Sequence, residues 1–231
     1  MRTTRSELIK LRTLRTSVWL MVTAAASAAL LGPVQSVGAA ISGSPDRPTT
    51  LALAGLSLAT ILVGVLGVLS VTGEYAPRAI RTTFTLVPRR GRVVLGKAAA
   101  LALVTAVVGA VAVAVAVTAS ILILDRGDSR ALPASAATVG VLVGWGVLGQ
   151  AAGWITRSKI GGAALLIGVM LILTPVLGLV PGRAGELLVA ATPASAASTM
   201  VDGSPGGLLL WTGYLVGLTA LSAWVVSRRD A

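Results

Sequence analysis

Residues 98–124 read AAALALVTAVVGAVAVAVAVTASILIL, 27 positions without one ionisable side chain. A helix rises about 1.5 Å per residue, so about 20 apolar residues cross a bilayer core. In hydrocarbon, a single segment can satisfy its own backbone polar groups only as a helix. Five further stretches have the same character: residues 17–41, 49–72, 134–156, 160–181 and 207–226. The 231-residue chain is 55% hydrophobic yet carries a formal charge of +11, so its charge is confined to the connections. The expected fold is all-α and polytopic, one transmembrane domain over residues 1–231 with six transmembrane helices. Its parts are an N-terminal interfacial arm (1–16), an inner segment (73–97) and an outer linker (182–206). No polar segment is long enough to fold alone.

The charges orient the spans. Fifteen of the 19 Lys and Arg residues precede the first span, lie in the second and fourth connections, or follow the sixth span. Only Arg47, Arg126, Arg130 and Arg183 fall on the other side, where they mix with Asp46, Asp125, Asp128, Glu186 and Asp202. The basic side is the cytoplasmic one, which places both termini inside. Trp19, Tyr75, Trp154 and Trp224 near inner ends and Trp211 near an outer end match an interfacial aromatic belt, and Trp145 must lie deeper. A basic n-region, an apolar run and the small Ala39 and Ala40 raise a signal peptide as a rival for the first span. The run is too long for that, and cleavage would spoil the charge sorting.

There is no Cys and no His. Disulfides, a thiol nucleophile, an imidazole base and a His/Cys metal site are thereby excluded. No Lys, Arg, Asp or Glu falls within the six runs. A proton-coupled carrier usually keeps a titratable group in the membrane, so energy for transport is expected from elsewhere. Gln35 and Gln150 are the strongest polar groups in the spans. Each can line a pathway, but a bond from helix to helix is the commoner use. Gly140/Gly144, Gly149/Gly153 and Gly213/Gly217 have the four-residue spacing of tight helix contacts, which an Ala/Gly-rich chain also produces by chance. Pro33 and Pro175 each remove a backbone donor inside a span, and Pro175, followed by Gly178, Pro181 and Gly182, predicts a broken outer end for the fifth helix.

In the inner segment Pro77 suits a first helical turn, Ile80, Phe84 and Val87 form one apolar stripe, and Pro88 ends the run. A short amphipathic helix on the membrane surface follows. Lipid headgroups could hold it, or it could dock a cytoplasmic partner. Residues Gly91 to Lys97 match G-x-x-x-x-G-K, but Ala98 stands where a P-loop needs Ser or Thr, and no strand precedes. Lys97 is expected to be an anchor at the interface, with only a mild effect when replaced by Ala. Leu8, Leu11 and Leu14 in the arm do not make a clean apolar face, so a surface helix with snorkelling Arg and a bare topology signal both stay open.

Four stretches resemble the permease subunits of ABC-2 transporters, in their actinobacterial form: the arm from Arg5 through Glu7, Lys10, Leu11, Arg12, Thr13 and Arg15 to Trp19; the inner segment, with Glu74-Tyr75, Ile80-Arg81-Thr82-Thr83, Pro88-Arg89-Arg90 and Lys97; the connection from Gly149 to Gly162; and the tail Arg228-Arg229-Asp230-Ala231. Arg78, Phe84 and Pro77 depart from the family pattern. The resemblance implies a non-catalytic subunit of an ATP-driven exporter in the plasma membrane, with ATP bound by a separate ATPase subunit and no cofactor of its own. Its partners would be that ATPase, a second or homologous permease copy, and the lipid bilayer, with no nucleic acid. It implies coupling to the ATPase through Glu74, Tyr75, Arg78, Ile80, Arg81, Thr82, Thr83, Phe84, Pro88, Arg89 and Arg90. It also implies that the second and fifth spans line a dimer centre, and that residues 182–206 re-enter the outer leaflet. Cargo would be a drug, peptide antibiotic or lipid-like molecule. A self-contained secondary carrier and a non-transporting scaffold or immunity protein are the alternatives.

Overall fold

The computed structural model describes residues 2–75 and 90–228. Among these the chain is helical, with no strand, and six helices are long and apolar enough to span a membrane. The arm is helix α1 (Arg2–Thr13), and α2 (Arg15–Ser42) is the first span. The two are separated by Leu14, which is extended. The second apolar run divides into α3 (Pro48–Ala54) and α4 (Leu56–Tyr75). The third span is α5 (Arg90–Leu124) and the fourth is α6 (Ala131–Thr156). The fifth is segmented into α7 (Lys159–Ile167), a π-helical turn (Gly168–Ile172) and α8 (Leu173–Leu177). The outer linker forms α9 (Arg183–Ala190) and α10 (Pro193–Val201), and α11 (Pro205–Arg228) is the sixth span.

Each expected span is found, with shifts that have local causes. The division at Gly55 sits where α3 crosses α2 at backbone distance: a Cβ on Gly55 would lie 2.7 Å from Leu31 Cβ, and one on Gly32 would overlap Ala52 O. The fifth helix ends at Leu177, four residues before the expected boundary. The π turn lies just before Pro175, where the missing N–H already removes one rung of the ladder. Pro33, by contrast, sits inside an unbroken α2. At 35 residues α5 is about 52 Å long, well beyond a hydrocarbon core of about 30 Å, so its basic end projects past the apolar layer.

Packing centres on α4 and α6, whose backbones touch through glycine. A Cβ on Gly149 would overlap Gly64 O, and one on Gly67 would overlap Gly146 O. Gly153 faces Val68 O, and Gly144 makes room for the Trp211 indole. The Gly149/Gly153 pair is therefore a close contact between helix backbones, while Gly140 and Gly144 make room for the Met200 and Trp211 side chains. Gly213 and Gly217 have nothing within 4 Å, so the third pair makes no contact within this chain. Around this axis α2, α4 and α5 share a core of small side chains, among them Ala28, Ala59, Val113 and Ala116.

The tryptophans divide into two groups. Trp19 and Trp224 are exposed on the outside of the bundle, as belt residues should be. Trp154 and Trp211 are instead buried to 1% exposure, which corrects their reading as belt residues. Trp211 packs on Trp145, with ring centroids 5.6 Å apart, and its Nε1 donates to Gly140 O at 3.3 Å. Ala196 and Ala197 of α10 join the same cluster, which also contains Leu148 and Leu166. The outer linker thus folds back among the spans. Thr174 Oγ1 bonds Thr192 Oγ1 at 3.1 Å and the Tyr214 hydroxyl bonds Ala191 O, closing it against α8 and α11.

Candidate functional site

The residues 76–89, which join the second and third spans, lie outside the described residues, and with them Arg78, Ile80, Arg81, Thr82, Thr83, Phe84, Pro88 and Arg89. Both roots of that connection are described: Glu74 and Tyr75 end α4, and Arg90 opens α5. Sequence reading missed what happens there.

Lys97 is buried to 2% exposure. Its ammonium donates to Glu7 Oε2 at 2.6 Å, to Glu74 Oε1 at 2.8 Å and to Ser70 O at 3.3 Å. All three donors of the group are used, so a buried charge is both paired and fully hydrogen-bonded. The carboxylates come from elements 90 and 23 residues away in sequence. A hydrocarbon-facing lysine would be costly; here the protein supplies the polar surroundings.

Two expectations are corrected by this arrangement. Lys97 is not a lipid-facing anchor, because Glu7, Glu74 and the α4 backbone enclose it. The helix of the third span also begins before its expected boundary, so Lys97 lies within the helical span although outside residues 98–124. Its depth remains near the interface: it is 27 residues, about 40 Å, from the far end of α5, more than a hydrocarbon core of about 30 Å. Residues Gly91 to Lys97 form regular helix, which leaves no loop to cradle a phosphate.

Gln150 extends the cluster inward. Its Nε2 donates to Ser70 Oγ at 3.0 Å and to Lys97 O at 3.2 Å, so α4, α5 and α6 meet at one amide. This is the helix-to-helix use expected for such a residue. Gln35 differs: it is exposed on the side of α2 and has no hydrogen bond among the described residues. Tyr75 continues the tie to α6. Its ring meets Trp154 edge-on with centroids 6.2 Å apart, and the Arg157 guanidinium lies 5.6 Å above it. Arg157 occupies the left-handed C-cap of α6 at φ 52°, and Ser158 then caps α7 by accepting from Gly161 N.

The arm is held by more than charge. Leu11 is buried with Leu66, Ala100 and Leu101, and Leu8, Leu20 and Met21 pack around them. Arm, second span and third span are thus joined around Lys97, and the fourth is added through Gln150 and Trp154. A displacement of either root of the 76–89 connection must move or break these contacts. One signal in the sequence pointed here: Glu7 and Glu74 are two of only three acids on the basic side, the third being Asp230.

At the opposite ends of the spans, loops are cross-linked by polar contacts. Asp128 accepts from Arg130 N at 2.9 Å and Thr49 N at 3.4 Å. The Thr49 hydroxyl beside it and these donors, aided by Arg47, hold its carboxyl below the ordinary range against the opposing pull of partial burial. Arg130 reaches Asp202 O, and Arg126 reaches Ser44 O at 3.3 Å. Among the described residues no group of three or more acidic side chains is placed to hold a metal ion.

Comparison with known proteins adds no family: no family model matches the chain, and no curated protein matches its sequence.

Proposed function

We propose that this multi-pass membrane protein is the permease subunit of an ATP-driven exporter of the ABC-2 class, coupled to a separate ATPase through the 76–89 connection. The chain itself would hydrolyse nothing and bind no cofactor. The observation that carries the proposal is the anchoring of both roots of that connection to arm and spans by Lys97, Glu7 and Glu74. A docking element needs such a rigid base, because force applied to a loose loop would be lost in local motion. The ordered resemblance of the arm, inner segment and tail supports the same assignment, though it is an analogy of sequence.

A second permease copy fits two further features. Gln35 presents an unbonded amide at about 10 Å from the outer end of α2, where lipid offers no partner. The fifth span is the least buried of the six. A partner copy or a watered pathway along these surfaces would satisfy both. Cargo would then be amphiphilic: a drug, a peptide antibiotic or a lipid-like molecule.

The test is purification of the tagged chain from its own membranes in mild detergent. A stoichiometric ATPase is expected with it, and the double change Ile80→Ser, Phe84→Ser should release that ATPase while leaving membrane insertion intact. Unchanged association overturns the docking role. A proton-coupled carrier is the second possibility, favoured by the buried titratable cluster at Lys97. It requires pH-driven transport by the chain alone in proteoliposomes, lost in Glu74→Gln; no such transport is expected.

A further inference from the structure

Along the outside of the bundle, the arm, α2 and α5 enclose a groove of about 550 Å³, lined by Leu8, Leu11, Val18, Val22, Leu103 and Val104 among others, all apolar. A second groove of about 420 Å³ shares Ala25, Val107 and Val108 with it and continues along the same two spans to Ala29 and Val115. The two form one trough, and its upper floor is alanine and valine.

Its position matches one leaflet. Measured from the end of α5 at Leu124, Leu103 lies about 31 Å away and Val115 about 14 Å away. A hydrocarbon core of about 30 Å places these at the membrane boundary on the arm's side and near the midplane. The lining of the two grooves therefore runs from the interface to near the midplane, about the depth of one acyl chain.

The charge at its mouth selects the headgroup. Residues 1–16 hold Arg2, Arg5, Lys10, Arg12 and Arg15 against the single acid Glu7, and Glu7 is engaged by Lys97. The arm helix that borders this end of the trough thus carries an excess of positive charge in its sequence, and Arg15 beside it is exposed, which favours an anionic headgroup on this side. A zwitterionic headgroup would gain less.

We infer that the trough between the arm, α2 and α5 is a binding site for one anionic phospholipid of the leaflet on the arm's side, with an acyl chain along Val22, Val107 and Ala29 and its headgroup at the basic arm. The bound lipid fills the space beside Leu8 and Leu11 and so fixes the arm against the spans. This does not depend on the chain being a permease.

The test uses the full chain in nanodiscs of equal phosphatidylglycerol and phosphatidylcholine, released into native mass spectrometry. About one retained phosphatidylglycerol per chain is expected, favoured at least tenfold over phosphatidylcholine. Val107→Trp, which fills the trough from an exposed position, should reduce retention at least tenfold. Leu209→Trp, exposed on α11 away from it, should not. Arg15→Gln should weaken the headgroup preference while the acyl chain still binds. Equal retention of both lipids, or retention unaffected by Val107→Trp, overturns the inference. A second copy in the trough would overturn it too, and would show as a disulfide-linked dimer of Val107→Cys in membranes; the native chain has no cysteine to confuse that result.

Discussion

Removing the charge of Glu7 should detach the arm from the bundle. The Glu7–Lys97 contact at 2.6 Å is a charge-assisted bond in a mostly buried setting. Such bonds contribute about 1.5–3 kcal/mol. At about 1.4 kcal/mol per tenfold, Glu7→Gln should raise the population with the arm released by roughly 10–100-fold. Lys97→Met should do more. It leaves the carboxylates of Glu7 and Glu74, only 11% and 13% exposed, without their shared cation. Breaking a buried pair from one side costs about 3–5 kcal/mol, which exceeds the effect of Glu7→Gln and reverses the mild outcome expected of an interface anchor. Glu74→Gln keeps the Glu7 contact and should change arm release less than Glu7→Gln does, since the bond it removes joins Lys97 to α4 and not to the arm. The assay is maleimide labelling of Leu11→Cys, whose parent side chain is buried on the arm's face toward the spans, in the otherwise cysteine-free chain. Labelling rate follows the released population. The order Lys97→Met, then Glu7→Gln, then Glu74→Gln is expected. Equal rates in all three, at the level of the parent, would refute the triad as the clamp.

Other outcomes follow from the packing. Gly149→Ala should prevent stable folding, because the new methyl meets the Gly64 backbone and nothing flexible can yield, whereas Gly213→Ala should leave the melting temperature unchanged; thermal stability in detergent separates them. Trp211→Ala should cost about 3–5 kcal/mol by opening a void between α6 and α10, and a loss under 1 kcal/mol would show that the outer linker is not packed as described. For Asp128 the folded carboxyl titrates below its ordinary value of 3.8. Its stabilisation is thus present above that value and lost as pH falls through the lower folded one. Acidification below about pH 4 should therefore destabilise the parent more than Asp128→Asn, and superimposable melting profiles would count against the loop contact.

Much of the fold was legible from the chain itself. Six apolar runs dictated six helices, because a segment in hydrocarbon must satisfy its own backbone, and the boundaries mostly agreed to within a few residues. Gln150 and the disturbance around Pro175 were also readable, since an amide in an apolar run needs a partner and a proline cannot complete the ladder. Tertiary structure alone decided which small-residue pairs touch. Gly149 and Gly213 have similar sequence surroundings, but only Gly149 faces another backbone. It also decided that Trp154 and Trp211 point inward, because position along a helix fixes depth but not azimuth. The charged triad depended on it most. Glu7, Glu74 and Lys97 each read singly as loop or interface residues, and their meaning changed when three distant segments converged. Hydropathy determines which segments enter the membrane, through a free energy that is local to each segment. The pairing of charges arises only from how those segments pack, and no local pattern records it.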